Sequence, residues 1–72
     1  MFRSLFFFLS YLYEIAIMGV FRDEAPYLKE WIEYHLLVGV DHFYLANHFS
    51  TDNYLEVLEP YIRTGVVDLF DL

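Results

Sequence analysis

The stretch "GVFRDEAPYLKEWIEYH", residues 19–35, decides the fold, because it carries an apolar run directly into a helical pattern. The apolar run, residues 15–21, is continuous and rich in branched side chains, which is typical of a strand that is buried on both faces of a parallel sheet. Pro26 follows, and proline suits the first turn of a helix because its missing N–H is not needed there. The stretch therefore predicts a turn from strand to helix, the place where open α/β sheets bind ligands.

The helix is predicted by side chains that recur every three or four residues. The apolar stripe consists of Leu28, Trp31, Ile32, His35 and Leu36, and charged side chains on the opposite face are Lys29, Glu30 and Glu33. Gly39 is expected to end the helix, since glycine readily takes the left-handed conformation that helix ends use.

The rest of the chain repeats this alternation. "HFYLAN", residues 42–47, predicts a second strand, and "YLEVLEPYI", residues 54–62, predicts a second helix. Asn53 and Glu56 have the spacing of a capping box, and Pro60 is expected to kink or end the helix. Gly65 predicts a turn, and residues 66–70 a third strand. The order predicts an α/β fold, a partial Rossmann-like β-α-β-α-β unit with parallel strands and right-handed crossovers.

The composition indicates that this unit has more apolar surface than it can bury in its own core. Hydrophobic residues make up 58% of the 72-residue chain and aromatic residues 22%, whereas soluble domains have about 45–50% hydrophobic residues. The sequence ends directly after the third strand, and two helices leave much of both sheet faces bare. We therefore expect the chain to be the first part of a larger domain, with the missing half or another protein covering the sheet. Contact with lipid is the alternative.

Charge and cysteine content exclude several classes of function. The formal net charge is −7, whereas proteins that bind nucleic acid neutralise phosphates with Lys and Arg. We therefore expect no nucleic-acid partner. Cysteine is absent, so there is neither a disulfide framework nor a thiolate metal site.

The apolar N-terminal segment, residues 1–13, is open to three interpretations. Arg3 precedes an apolar run of the length found in secretory signal sequences, but the small residues of a cleavage site are missing. Glu14 interrupts the run before it reaches the 20 or so residues of a membrane span. The segment is therefore interpreted as a signal-like segment, a membrane anchor or a simple buried segment. The first two imply export or membrane association.

Two polar loops follow the carboxyl ends of the first two predicted strands, where ligands of such sheets bind. We call residues 21–26 the first loop and residues 47–53 the second loop. In the first loop, Asp23 and Glu24 either complement the helix macrodipole or contact a base or ribose. In the second loop, Asn47 ends the strand and is expected to point toward the cleft, while Asp52 suits either purpose. Turn and capping chemistry is the favoured role of Ser50, Thr51 and Asn53.

Several familiar sites are absent from the sequence. Neither GxGxxG nor GxxxxGK[ST] occurs, which argues against dinucleotide and nucleoside-triphosphate folds. No HExxH pattern occurs; His35 is expected in the core, His42 precedes a strand, and only His48 is kept as a candidate ligand contact. Asp68 and Asp71 are interpreted as surface residues at a strand end. We assign no catalytic residue and no metal ligand.

The two loops and their helices together resemble a known enzyme group. "EAPYLKEWIEYH" and "STDNYLEVLEPYI" are similar to the N-terminal half of glycosyltransferases of the family-2-like and family-92-like kind, which have the GT-A fold. The resemblance covers residues 15 to about 70, so residues 14–72 are interpreted as an incomplete nucleotide-binding portion. It implies transfer of a sugar from a nucleotide-diphosphate donor. It also implies nucleotide-binding roles for Phe21, Asp23, Glu24, Asn47 and Asp52.

The resemblance also implies that this chain lacks the parts of the enzyme that bind the metal ion and the acceptor. In the family, a DxD motif that binds a divalent cation, Mn²⁺ or Mg²⁺, follows later in the chain, and so does the acceptor site. This chain offers no ligand set for that cation, and we expect it to be inactive alone. It departs from the family at Asp23, Ala46 and Phe49, the last standing where a small or polar residue is common. The alternative is a non-catalytic remnant that binds a membrane or a partner.

Overall fold

The computed structural model describes residues 15–72, which form three strands and two helices. In chain order the elements are β1 (Ala16–Phe21), α1 (Ala25–Leu37), β2 (His42–Asn47), α2 (Tyr54–Arg63) and β3 (Val67–Asp71). This is the predicted α/β arrangement, a partial Rossmann-like unit, with boundaries that differ from the predicted ones by about one residue. The predicted N-terminal segment, residues 1–13, lies outside the described residues.

The sheet is parallel throughout and has the strand order β1-β2-β3. Ile17 pairs with Phe43, and Phe43 pairs with Val67, so one row of side chains crosses all three strands. Parallel neighbours need a crossover between them, and α1 and α2 supply the two crossovers. The prediction of parallel pairing is confirmed.

One hydrophobic core lies between the sheet and both helices. It joins side chains of all five elements, namely Ile17, Phe21, Leu28, Ile32, Phe43, Leu45, Leu58 and Val67, with Val40 beside them. The two helices also contact each other, where the hydroxyl of Tyr61 donates to a carboxylate oxygen of Glu33 at 2.6 Å. The predicted stripe of α1 faces this core, while Lys29 and Glu30 are exposed as expected. Both crossovers therefore cover the same face of the sheet.

The opposite face of the sheet carries no helix among residues 15–72. Met18 is 40% exposed and Phe70 is 52% exposed there, since alternate side chains of a strand point to opposite faces. The expectation that β1 is buried on both faces is therefore wrong at Met18. The expectation that both sheet faces are largely bare is wrong for the face that the two helices fill.

Each helix ends at a glycine that has a left-handed backbone. Gly39 has a φ of 106° and Gly65 a φ of 81°, a region that glycine enters without steric cost. After α1, Val40 N–H donates to the His35 carbonyl at 2.9 Å, and after α2, Val66 N–H donates to the Tyr61 carbonyl at 2.9 Å. Both ends are Schellman motifs, which turn the chain back toward the next strand.

The structure of α2 differs from two expectations: Pro60 does not end the helix, and Asn53 does not form a capping box. The helix continues three residues past Pro60, to Arg63; proline removes only the bond to the Glu56 carbonyl, and both Glu56 and Pro60 lie on the exposed side of the helix. Asn53 precedes the helix, but its side chain makes no bond to the helix backbone. Its amide instead donates to the Glu56 carboxylate at 3.1 Å, so the spacing of a capping box is used between side chains.

Candidate functional site

The candidate site lies at the carboxyl edge of the sheet, where the three strands end in one row. Phe21 pairs with Asn47, and Asn47 pairs with Asp71. The first and second loops leave the sheet side by side from this edge, as the parallel order requires. Asp71, interpreted from the sequence as a surface residue, is indeed exposed, yet it ends β3 beside the predicted site.

Asp23 holds the two loops together from the side of the first loop. Its backbone N–H donates to the Ser50 hydroxyl oxygen at 2.9 Å, and its carboxylate accepts from the Thr51 N–H at 2.7 Å and the Thr51 hydroxyl at 3.3 Å. The backbone N–H of Thr51 is the main cause that lowers the pKa of Asp23 from its ordinary value. Asp23 is exposed and has a φ of 50°, a conformation that Asp tolerates better than most residues.

Asp52 makes the reciprocal contact from the second loop. One of its carboxylate oxygens, Oδ2, accepts from the backbone N–H of Ala25 at 2.9 Å, and Ala25 is the first residue of α1. A carboxylate at a helix start satisfies one free N–H and complements the macrodipole. Asp52 therefore makes the helix-start contact that was one of the two roles considered for Asp23, Glu24 and Asp52. Its other oxygen, Oδ1, is buried without a hydrogen-bond partner.

Asn47 is buried, with 6% of its surface exposed, and its amide organises the edge of the sheet. The Nδ2 group donates to the Tyr54 hydroxyl at 2.9 Å and to Oδ1 of Asp71 at 3.0 Å, while its oxygen accepts from the Ser50 N–H at 2.9 Å. Both amide hydrogens are thus used within the fold. The predicted contact of Asn47 with a base stays a prediction.

The remaining predicted residues, Phe21 and Glu24, lie beneath the surface of the site. Phe21 is part of the core, and its ring packs against that of Tyr54 with centroids 5.6 Å apart. Glu24 is only 5% exposed, and its carbonyl oxygen accepts from the N–H groups of Tyr27 and Leu28 at the start of α1. All five predicted residues therefore gather at this edge, but of the five only Asp23 is fully open to solvent.

The histidines lie in three different environments. His48 is exposed in the second loop, where its N–H donates to the Phe21 carbonyl at 2.9 Å. His35 was expected in the core but is only half-buried on α1, where its Nδ1 lies 2.7 Å from the Trp31 carbonyl oxygen. His42 begins β2 and is buried, with its Nε2 3.0 Å from Oδ2 of Asp68. Asp68 is exposed, as predicted, and in addition pairs with His42.

The edge is acidic, and this limits what it binds. Three carboxylates, those of Asp23, Asp52 and Asp71, lie at the ends of the strands, and Arg22 is a cation next to them in the chain. Carboxylates accept hydrogen bonds from hydroxyl and N–H groups and repel phosphates. The arrangement thus suits neutral hydrogen-bond donors, such as hydroxyl groups, better than phosphates.

Within residues 15–72, no group of three or more His, Cys, Asp or Glu side chains is placed to hold a metal ion. The described residues therefore do not fit the divalent cation that the resemblance implies. Neither α1 nor α2 combines the length and the hydropathy that crossing a lipid bilayer requires.

The sequence did not assign to this edge four residues that complete it, namely Ser50, Thr51, Tyr54 and Asp71. Tyr54 stands out by no motif or spacing, and Ser50 and Thr51 were expected to serve their own turn rather than the neighbouring loop. Asp71 offered a usable signal, because it ends the third strand as Asn47 ends the second. The partners of Ser50 and Thr51 have no such signal, since Asp23 is 27 and 28 residues away.

Comparison with known proteins finds one family. The sequence model of glycosyltransferase family 92 matches residues 13–72. A glycosyltransferase family 92 protein of Ricinus communis is 32% identical over 50 residues, which cover 69% of this chain and 9% of the relative. Another from Arabidopsis thaliana is 32% identical over 47 residues, or 65% of this chain and 8% of the relative. The chain thus spans about a tenth of the length of these curated relatives. No solved structure matches it.

Proposed function

Because this chain belongs to glycosyltransferase family 92, we propose that it forms the nucleotide-facing part of an enzyme that transfers a sugar from a nucleotide-diphosphate donor to an acceptor hydroxyl. The enzyme domain has the GT-A fold in this proposal, and β1, β2 and β3 are its first three strands. The chain is inactive alone, since the residues that hold the diphosphate and the acceptor belong to other parts of the enzyme.

The observation that carries the proposal is the pair of loops at the carboxyl edge of the sheet. Asp23, Asp52 and Ser50 supply hydrogen bonds between the loops, so the edge is ordered before a ligand arrives. The Asp23 side chain is exposed, and an exposed carboxylate suits a ribose hydroxyl, as acidic groups do in Rossmann-type sites. Ordered loops reduce the entropy that a ligand must otherwise offset on binding.

The five predicted nucleotide-binding residues have different roles in this proposal. Asp23 contacts the nucleotide directly. Asp52 and Asn47 hold the second loop against α1 and β3, and Phe21 and Glu24 fill the space beneath. The four buried or half-buried residues thus position the loops, and their loss is expected to act on folding as well as on binding.

The phosphates and the cation are placed elsewhere in the enzyme. The acidic edge repels a diphosphate, and the described residues hold no ligand set for Mn²⁺ or Mg²⁺. The cation, when bound, neutralises the leaving diphosphate, and in this proposal its ligands come from the remainder of the domain. The same remainder covers the helix-free face of the sheet at Met18 and Phe70.

Nuclear magnetic resonance tests the proposal on the whole chain. Titration with UDP and with GDP is expected to shift the amide signals of residues 21–26 and 47–53 and to leave the opposite edge unchanged. Asp23→Asn keeps the shape and the backbone conformation but removes the charge. Because a hydrogen bond to a charged group contributes about 1.5–3 kcal/mol, the variant is expected to bind roughly tenfold or more weakly.

Asp41→Asn is the matched control for that variant. Asp41 is an exposed aspartate at the other edge of the sheet, and it too accepts a backbone N–H, from Ile15 at 3.2 Å. The Asp41→Asn variant is expected to bind nucleotide with the affinity of the unaltered chain. Absence of any shift with either nucleotide would contradict the proposal and favour the alternative, a non-catalytic protein that binds a membrane or a partner.

A further inference from the structure

Phe49, in the second loop, exposes a large apolar ring at the candidate site. The residue is 65% exposed, and its backbone φ is 56°. That left-handed conformation is rare for a bulky residue and is unfavourable compared with the ordinary regions. Neither core packing nor a hydrogen bond of the Phe49 side chain compensates for it within the described residues, so the ring is held in this place at a cost to stability.

The neighbours of Phe49 are fixed to the first loop and to β2. His48 N–H donates to the Phe21 carbonyl at 2.9 Å, and Ser50 N–H donates to the Asn47 side chain at 2.9 Å. The Ser50 hydroxyl also accepts from the Asp23 N–H. Phe49 therefore lies where the two loops meet, one residue before Ser50, whose hydroxyl binds the backbone of Asp23.

The ring also has a defined orientation. Its centroid lies 5.1 Å from that of His48, with 64° between the two planes. The two rings are arranged edge to face, and because Phe49 is 65% exposed, ring surface of Phe49 stays open to solvent. An open aromatic face suits another aromatic ring, which binds to it by offset stacking.

We infer that Phe49 is the stacking platform for the nucleobase of the donor nucleotide. This inference rests on the proposed function and names the group that holds the base. The carboxylates at this edge disfavour the phosphates, so the neutral aromatic part of the nucleotide is the part that fits beside them. Asp23 then meets the ribose while Phe49 meets the base, and the second loop supports both.

The test compares variants of Phe49 in the whole chain by titration with UDP and GDP. Stacking of one base on an aromatic side chain corresponds to an affinity change of about 5- to 150-fold on removal of the ring. Phe49→Ala and Phe49→Leu are expected to lose affinity in that range, since leucine keeps apolar volume but not the aromatic face. Phe49→Tyr is expected to retain it. In the unaltered chain, nuclear Overhauser contacts are expected between base protons and the Phe49 ring.

Tyr34→Ala is the matched control. Tyr34 is 59% exposed on α1 and contacts the ring of His35 edge to face at 5.3 Å, so it reproduces the surroundings of Phe49 far from the two loops. It is expected to leave nucleotide affinity unchanged. Thermal unfolding of each variant verifies that the fold is intact.

The outcomes separate this inference from the proposed function. If the unaltered chain binds nucleotide and Phe49→Ala or Phe49→Leu binds it equally well, the stacking role is overturned and the proposed function stands. Base contacts to another side chain, with none to Phe49, likewise overturn the stacking role alone. If the unaltered chain binds no nucleotide, both are overturned.

Discussion

Replacing Asn47 with Asp is expected to destabilise the fold far more than its small change in shape indicates. The substitution turns the amide group, which donates to Tyr54 and to Asp71, into a carboxylate that only accepts. The Asp71 carboxylate, 3.0 Å from the Asn47 amide nitrogen, would then face a second negative charge. The substitution therefore tests whether Asn47 is needed as a donor at this edge.

The magnitude follows from two contributions. Loss of two donated hydrogen bonds costs about 0.5–1.5 kcal/mol for each. Repulsion between charges about 4 Å apart adds roughly 1–4 kcal/mol, depending on the effective dielectric constant, and the exposure of Asp71 favours the lower end. The total is about 2–7 kcal/mol, with the lower half of that range favoured, and this is a large part of the roughly 5–15 kcal/mol that stabilises an ordinary domain.

The destabilisation of Asn47→Asp is also expected to depend on pH. Burial and a neighbouring carboxylate raise the folded-state pKa of the introduced carboxyl above its value in the unfolded chain. Between those two pKa values the native state binds more protons than the unfolded state, so the free energy of unfolding falls as pH rises. The deficit relative to the unaltered chain is therefore largest near pH 7 and shrinks as the pH falls toward the unfolded value.

Urea unfolding followed by tryptophan fluorescence measures this deficit at several pH values. Trp31, the single tryptophan, is half-buried and packs against Phe43. Asn53→Asp is the control, because Asn53 also donates to a carboxylate, at 3.1 Å, but on the exposed surface; it is expected to cost less than about 0.5 kcal/mol. Equal costs for the two variants, or a deficit that does not change with pH, would refute the reasoning.

Three further predictions concern other parts of the chain. The pKa of Asp23 is lowered in the folded chain, so its contribution to stability is present above its pKa in the unfolded chain and is lost as the pH falls through the lower folded pKa. The Thr51 amide signal is therefore expected to titrate with a midpoint below pH 3.8. A midpoint at or above pH 3.8 would contradict this prediction. Leu58→Ala, in the core, is expected to cost about 2–5 kcal/mol in urea unfolding, whereas the same change at exposed Leu55 costs under about 0.5 kcal/mol; similar costs would disprove the assignment of the core. Burial and the neighbouring Glu33 carboxylate raise the pKa of Tyr61 to about 12. The contribution of Tyr61 to stability is therefore present below its unfolded pKa of 10.0 and is lost as the pH rises through about 12. In an ultraviolet titration, Tyr61→Phe is expected to lack the tyrosine that ionises last, and an unchanged last step would argue against this assignment.

The order of elements was predictable because it depends on local patterns. Apolar runs of strand length, stripes at helical spacing, and glycines after each helix are visible in the sequence without knowledge of the fold. The strand "HFYLAN" was predicted without error at residues 42–47. Parallel order then placed both loops at one edge, because the carboxyl ends of parallel strands always lie together.

The bonding within that edge was not predictable in the same way. The cap of α1 comes from Asp52, 27 residues away from Ala25, while the residue that local rules favour, Glu24, makes no side-chain cap bond. Local rules also overestimated Pro60, because the packing of Leu58 and the C-terminal Schellman motif keep α2 helical. Such features depend on which residues the tertiary fold brings together.

The hydrogen bonds between the two loops also determine when the edge forms during folding. Asp23, Ala25 and their partners are separated by 27 or 28 residues, so these bonds close only after β1, α1 and β2 have assembled. Contacts between distant residues form late, because the entropy of loop closure comes first. We therefore expect the edge to form late in folding and to open as one cooperative unit. A substitution that weakens the hydrogen bonds of one loop is therefore expected to destabilise the other loop as well.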